Sequence, residues 1–285
     1  MILITGASGI VGESIYNKFA GFYSVIGLAH SKTNKDLLNI DLTDADTVKI
    51  FFKNHNVDTI IHCACEIPSR SKLQDAEIYK RNLCMLLNIL ENIKNNVRFV
   101  NIGGTAIYQL QANASLTENA VLSCQTFYHL SKRHIEELLH LFYKRTKNLL
   151  NLRISSPYSL NRENDSILYK FIINAALNNK IQLWGSGNRT QAFTNTETLA
   201  LSMKELLDMH ISGDFNFVTT PSVSMLELAK KIKEHKKGLK IEMSGKEDSE
   251  DNCRTTIDIS KVSKFITIKD TLSNDIKKIL KRLNP

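Results

Sequence analysis

A doubly wound α/β fold, a parallel sheet with helices on both faces, is what this sequence predicts, and three observations carry it. Short apolar runs of strand length alternate with amphipathic helical patterns through the first half of the chain. That order implies right-handed crossovers and a sheet covered on both sides. The first run, Ile2-Leu-Ile4, passes at once into glycines at positions 6, 9 and 12, which reads as a buried parallel strand entering a tight turn. The 285 residues are 42% hydrophobic with four prolines, enough for one large core or a large domain with a smaller lobe.

Each element follows from local pattern. Gly6, Gly9 and Gly12 form G-x-x-G-x-x-G with Ser8, Ile10 and Val11 between them, and a helical pattern follows through Ile15 and Phe19. Gly6 permits a sharp turn, Gly9 lets the backbone approach a pyrophosphate, and Gly12 lets the helix pack close to the strand. Phosphates would then sit on the free amides of the helix N-terminus, so the motif predicts dinucleotide binding. Residues 24–29 read as the second strand, whose end selects the coenzyme. An acid there would bond the ribose hydroxyls and repel a 2′-phosphate. The sequence is Ala29-His30-Ser31-Lys32, with no carboxylate. Ser31 and Lys32 suit a phosphate, so NADP(H) is expected, with NAD as the alternative.

Residues 37–41 read as a third strand, and Thr43 is expected to cap a helix over 44–55. A fourth strand, 57–64, is apolar on both faces. A long helix over 73–95 turns Ile78, Leu83, Leu86, Leu87, Leu90 and Ile93 inward. A fifth strand, 97–102, leads into a loop through Gly103, Gly104, Thr105 and Tyr108; a helix over 126–145 and a sixth strand over 148–153 follow. Beyond Pro157 the alternation breaks into a helix at 167–177, a strand at 181–183, a loop at 184–189 and a helix at 197–209. A seventh strand at 215–218, a helix at 225–235 capped by Ser224, and a last helix at 271–283 complete the chain. The expected organisation is a dinucleotide-binding domain over 1–157 that regains 191–221, with a substrate lobe from 158–190 and 222–285.

The formal net charge is +8. Its densest clusters, Lys230 to Lys240 and Lys277 to Arg282, fall on amphipathic patterns and read as solvated helix faces, so no nucleic-acid partner is expected. No apolar run approaches the roughly 20 residues of a membrane span, and the start of the chain lacks the pattern of a signal peptide. The cysteines Cys63, Cys65, Cys84, Cys124 and Cys253 are odd in number and lack zinc spacing. They read as ordinary thiols in a reducing cytoplasm, with no metal site. A homodimer stays open.

Chemistry is expected from Tyr128 and Lys132. They stand four apart on the predicted helix, one turn above each other on the same face. Lys132 is placed to stabilise the phenolate of Tyr128 and to bond a nicotinamide ribose. A tyrosine whose pKa is lowered by a nearby ammonium passes a proton to or from a sugar hydroxyl at neutral pH.

Together the glycine turn, Asp41-Leu-Thr-Asp44, Ile60-Ile-His-Cys-Ala64, Asn82 and the Tyr128/Lys132 pair resemble the extended short-chain dehydrogenase/reductase family, also called the NAD-dependent epimerase/dehydratase family. Residues 152–158, 184–193 and 215–218 with 224–229 resemble its later segments, so the likeness runs over most of the chain. The resemblance implies a Rossmann-like fold in which Asp41, with Leu42, meets the adenine edge. Cys63, Ala64, Cys65 and Asn82 would line the cofactor, and Ser155 and Pro157 would border the nicotinamide. Glu66, Thr105, Trp184 and Arg189 would meet the substrate. Asp41 also reads as a helix-entry acid in its D-x-T-D turn.

Departures narrow the reading. The family's serine or threonine four residues before Tyr108 is Gly104 here, and Thr105 stands one residue late. Ala106 and Ile107 follow in place of the Asp-Glu pair of dehydratases, which argues against 4,6-dehydration. Gln191 and Ala192 replace an Arg-Asp pair, leaving Arg189 near enough to meet a diphosphate. The resemblance implies an NAD(P)-dependent ketoreductase acting on a nucleoside-diphosphate keto-sugar, in polysaccharide biosynthesis. A nucleotide-sugar epimerase is the alternative. A non-catalytic NAD(P)-binding regulatory protein is the alternative of another class, motivated by Gly104, Gln191 and Ala192.

Overall fold

The computed structural model describes residues 1–30, 36–69, 72–109 and 113–283. Ser31 and Lys32 lie outside the described residues. The chain forms two compact units, one from the described parts of 1–109, 121–153 and 200–215, the other from those of 110–120, 154–199 and 216–285.

Among the described residues the main sheet has seven strands: β1 (Ile2–Thr5), β2 (Val25–Ala29), β3 (Leu38–Asn39), β4 (Thr59–His62), β5 (Arg98–Gly104), β6 (Leu149–Ile154) and β7 (Gly213–Phe217). Their spatial order is β7-β6-β5-β4-β1-β2-β3. β1 runs parallel to β2 and β4, β2 to β3, and β4 to β5. Apolar residues dominate the strands buried on both faces, and every residue of β6 is buried, the polar Asn151 and Arg153 included. The order reverses between β1 and β4, the position where doubly wound sheets open a crevice beyond the strand ends.

Helices α1 (Ile10–Phe19), α2 (Ala45–Asn54), α3 (Ala76–Leu90) and α4 (Phe127–Phe142) belong to the first unit. Its core joins Leu3, Leu28, Ile60 and Phe99 of the sheet to Leu86, Ile89, Ile135 and Leu139 of the helices. Three local expectations change. Thr43 does not cap α2: its hydroxyl donates to Asp41 Oδ1 at 2.7 Å, and the Asp44 carboxylate takes the helix amides instead. On α3 the buried residues are Ile78, Asn82, Leu86, Asn88 and Ile89, and Leu87 is left 41% exposed. Strand β5 continues through Gly103 and Gly104, so the expected loop begins only at a 3-10 turn, Thr105–Ile107.

The second unit has its own core, built by α5 (Ile167–Asn178), α7 (Met225–His235) and α8 (Leu272–Leu283) around Tyr158, Leu183 and Phe193; α6 (Thr196–Asp208) precedes α7 in the chain. Ser224 and Glu227 form a reciprocal capping box at the start of α7. The buried Asp275 of α8 accepts hydrogen bonds from Tyr158, Asn195 and Thr271. No helix among the described residues is long and apolar enough to cross a membrane.

Candidate active site

Where β1 ends, Gly6 takes φ +64°, the left-handed region that favours glycine. A Cβ there would lie 2.7 Å from Cα and N of Ala64, so the exits of β1 and β4 touch backbone to backbone. At Gly12 a Cβ would lie 2.2 Å from the Gly6 oxygen, and at Gly9 it would lie 3.2 Å from that atom. Gly9 is the N-cap of α1 and supplies no side-chain acceptor, so the first helix amides, Ile10 and Val11 among them, have no side-chain cap from it. A cradle that a side chain would fill, at an uncapped helix start, fits a pyrophosphate.

Thr5 ties this turn to β4. Its hydroxyl lies 2.9 Å from His62 Nδ1 and accepts from the Ala64 N–H at 3.2 Å. Burial, with the Lys132 charge adding to it, pushes the His62 imidazole down to about 3, so the ring is neutral. Burial also pushes the Cys63 thiol up to about 12, and Cys65 upward, against the pull of Lys132. Both thiols are therefore protonated and unsuited to nucleophilic attack.

Lys132 sits among these groups. Its ammonium donates to the Ile102 carbonyl of β5 at 2.9 Å. Burial pulls its pKa down, but Cys65 and Tyr128 outweigh burial and hold it above the ordinary lysine value. Tyr128 differs from expectation. Lys132 does act to lower its pKa, but burial is the larger effect and, with Cys65, raises the phenol to about 12. Tyr128 is thus a protonated donor at neutral pH. Its hydroxyl and that of the buried Thr105 make no hydrogen bond among the described residues, and the Thr105 turn packs against α4.

Asn82 is spent on structure. Its Oδ1 accepts from the Glu66 N–H at 2.7 Å, and its Nδ2 donates to the Glu66 carbonyl and to Ser131 Oγ, both at 3.1 Å. It staples the segment after β4 to α4. The Glu66 carboxylate pairs with Arg81 at 2.8 Å. Asp41 accepts from Thr43 and faces His30 at 3.7 Å. Burial of Asp41 pushes its carboxyl up, but the Thr43 bonds and His30 hold it below the usual range. Leu42 is buried in the core of the first unit.

In the second unit, Ser155 donates from its N–H to Thr194 Oγ1 at 3.3 Å, and Pro157 pairs with Thr194. Gln191 bonds the hydroxyl of Ser156. Trp184 is 44% exposed beneath the Lys246 ammonium. Arg189 donates to Asp248 at 2.9 Å and lies 3.6 Å from Glu250, so its guanidinium is already paired. The first unit thus gathers the glycine turn, residues 62–65, Thr105, Tyr128 and Lys132, while Trp184 and Arg189 belong to the second. Sequence reasoning missed Thr5, His62, Glu136 and Arg153. For Thr5, His62 and Arg153 the one signal was polarity or charge inside otherwise apolar strands.

Comparison with known proteins gives the family and the fold. The model of the NAD dependent epimerase/dehydratase family matches residues 2–216. The chain is 30% identical over 214 residues to a putative UDP-glucose 4-epimerase of Methanocaldococcus jannaschii, covering 68% of each. It is 25% identical to the GDP-L-colitose synthase of Yersinia pseudotuberculosis, over 70% of this chain and 69% of that protein. The UDP-glucose 4-epimerase of Thermus thermophilus, solved in complex with NAD, superposes with a TM-score of 0.84 at 18% identity, covering 99% of this chain and 98% of that one.

Proposed function

Because the chain belongs to the NAD-dependent epimerase/dehydratase family, we propose that it is a reductase of keto-sugars carried on a nucleoside diphosphate. The observation that carries this is the partly buried Tyr128, one helical turn from the buried Lys132 on the same helix face, with its phenol held protonated at neutral pH. When bound, a nicotinamide supplies a hydride to a carbonyl carbon. Tyr128 hands its proton to the oxygen that becomes the hydroxyl, and Lys132 holds the charge left on the phenol. Thr105 orients that oxygen. The amides of Ile10 and Val11 would hold the pyrophosphate, Asp41 the adenine edge, and Lys132 the ribose. The second unit is the proposed substrate lobe. The absence of a carboxylate from Ala29-His30-Ser31-Lys32 favours NADP(H). An epimerase is the second reading, favoured by the name of the Methanocaldococcus relative.

Purified protein with NADPH and a nucleoside-diphosphate keto-sugar should show net loss of NADPH absorbance. Tyr128→Phe should cut that rate on the order of a hundredfold or more and leave coenzyme affinity unchanged in a fluorescence titration. Interconversion of UDP-sugars without net coenzyme oxidation would establish the epimerase instead. Coenzyme binding without any turnover would point to the regulatory class.

A further inference from the structure

Resting on the reductase reading, we infer that Glu136, Arg153 and Tyr108 form a positioning clamp, which sets the Thr105 turn against the helix bearing Tyr128 and Lys132. Glu136 lies one turn beyond Lys132 on α4, so Tyr128, Lys132 and Glu136 share a face at intervals of four. Its side chain and that of Arg153 on β6 are among the most buried charges in the protein, 4% and 6% exposed. Arg153 donates from Nε and Nη2 to the Glu136 carboxylate at 3.0 and 2.8 Å. Its Nη1 donates to the Tyr108 hydroxyl at 2.8 Å, and the guanidinium lies 5.2 Å from the Tyr108 ring centroid. Tyr108 in turn closes the 3-10 turn, its N–H donating to the Thr105 carbonyl at 3.1 Å. Gly103 completes the fit: a Cβ there would come within 2.6 Å of Glu136 Oε1.

A buried ion pair is weak evidence for stability, since the cost of desolvating both ions offsets their attraction, and apolar residues could fill the same space. What the charged version adds is direction. A guanidinium presents its donors in one plane at fixed angles. Here two donors fix the helix and a third fixes the phenol at the end of the turn. Lysine could supply the charge but not the fork.

Tyr108→Phe removes one oxygen and leaves the ring to stack, so the full chain should fold. Backbone amides of residues 105–108 should exchange with deuterium about tenfold faster, with the thermal midpoint nearly unmoved. The kcat for keto-sugar reduction should fall about tenfold with the coenzyme KM unchanged. Arg153→Lys keeps the charge and should lose as much kcat. Parent-like exchange in Tyr108→Phe overturns the clamp, as does faster exchange with parental kcat, or full activity in Arg153→Lys. Should the parent protein turn over no keto-sugar, the reductase reading fails, and the exchange measurement still decides whether the clamp holds the turn.

Discussion

Two of the loops that use left-handed glycines spend their amides differently. The turn after β1 places Gly6 at φ +64° and leads into a helix whose N-cap, Gly9, has no side chain to offer. The loop at 184–189, in the other unit, places Gly185 at φ +54° and Gly187 at φ +73°. There the amides of Ser186 and Asn188 already donate to the Asp251 carboxylate, at 2.8 and 3.3 Å. Asp248 and Glu250 take the neighbouring arginine. The same backbone chemistry leaves amides without a side-chain cap in one place and makes an internal joint in the other. A glycine loop is a ligand site only where its own chain has not supplied the anion.

The sharpest way to break that contrast is to fill each loop with a side chain. Gly12→Val should abolish coenzyme binding in a fluorescence titration, because its Cβ would meet backbone at 2.2 Å and nothing there can yield. Gly187→Ala should cost about 1 kcal/mol of stability from its left-handed φ and leave coenzyme binding intact. Normal binding by the Gly12 variant would put the cradle elsewhere.

A smaller effect is expected from Arg189→Met. Loss of a partly exposed ion pair should lower stability by about 1 kcal/mol or less, with the nucleotide-sugar KM unchanged. A KM raised tenfold or more would mean that Arg189 leaves its carboxylates for the substrate, making the second loop a ligand site after all.

The smallest effect concerns a pair in the first unit that is also internally satisfied. Asp214 accepts from His140 at 3.0 Å and raises the imidazole above its ordinary value, against burial. A raised pKa means that the native state binds the proton more tightly than the unfolded chain. The stabilisation is therefore complete below about pH 6.5 and is lost as pH rises through the folded value. His140 is 47% and Asp214 24% exposed, so solvent screening leaves about 0.5 kcal/mol or less. Thermal midpoints of the parent should fall slightly relative to His140→Asn between neutral and alkaline pH. Parallel curves would show that the pair contributes nothing.

The frame of the fold was readable because it rests on short-range pattern. Apolar runs, the glycine spacing and the four-residue step from Tyr128 to Lys132 are all local. What escaped depends on distant neighbours. The pKa of Tyr128 turns on burial, which no spacing reveals. The partners of Arg189 lie 59 residues or more downstream. Thr43 and Asp44 are both competent caps, and only the position of Asp41 decides between them. Gly103 and Gly104 looked like loop because nothing local announces the Glu136 carboxylate against which the strand must lie bare.

The contact between Gly6 and Ala64 has a consequence for how the protein is made. The glycine motif is complete within residues 6–12, yet one wall of its turn is the backbone of residue 64, fixed by the Thr5 hydroxyl across a separation of 59 residues. The motif is therefore unfinished while it is being synthesised. It acquires its shape only when β4 inserts beside β1, a non-local pairing that must first overcome the entropy of closing the intervening chain. Coenzyme affinity in this protein is a property of the assembled sheet and cannot be carried away on the peptide that bears the signature.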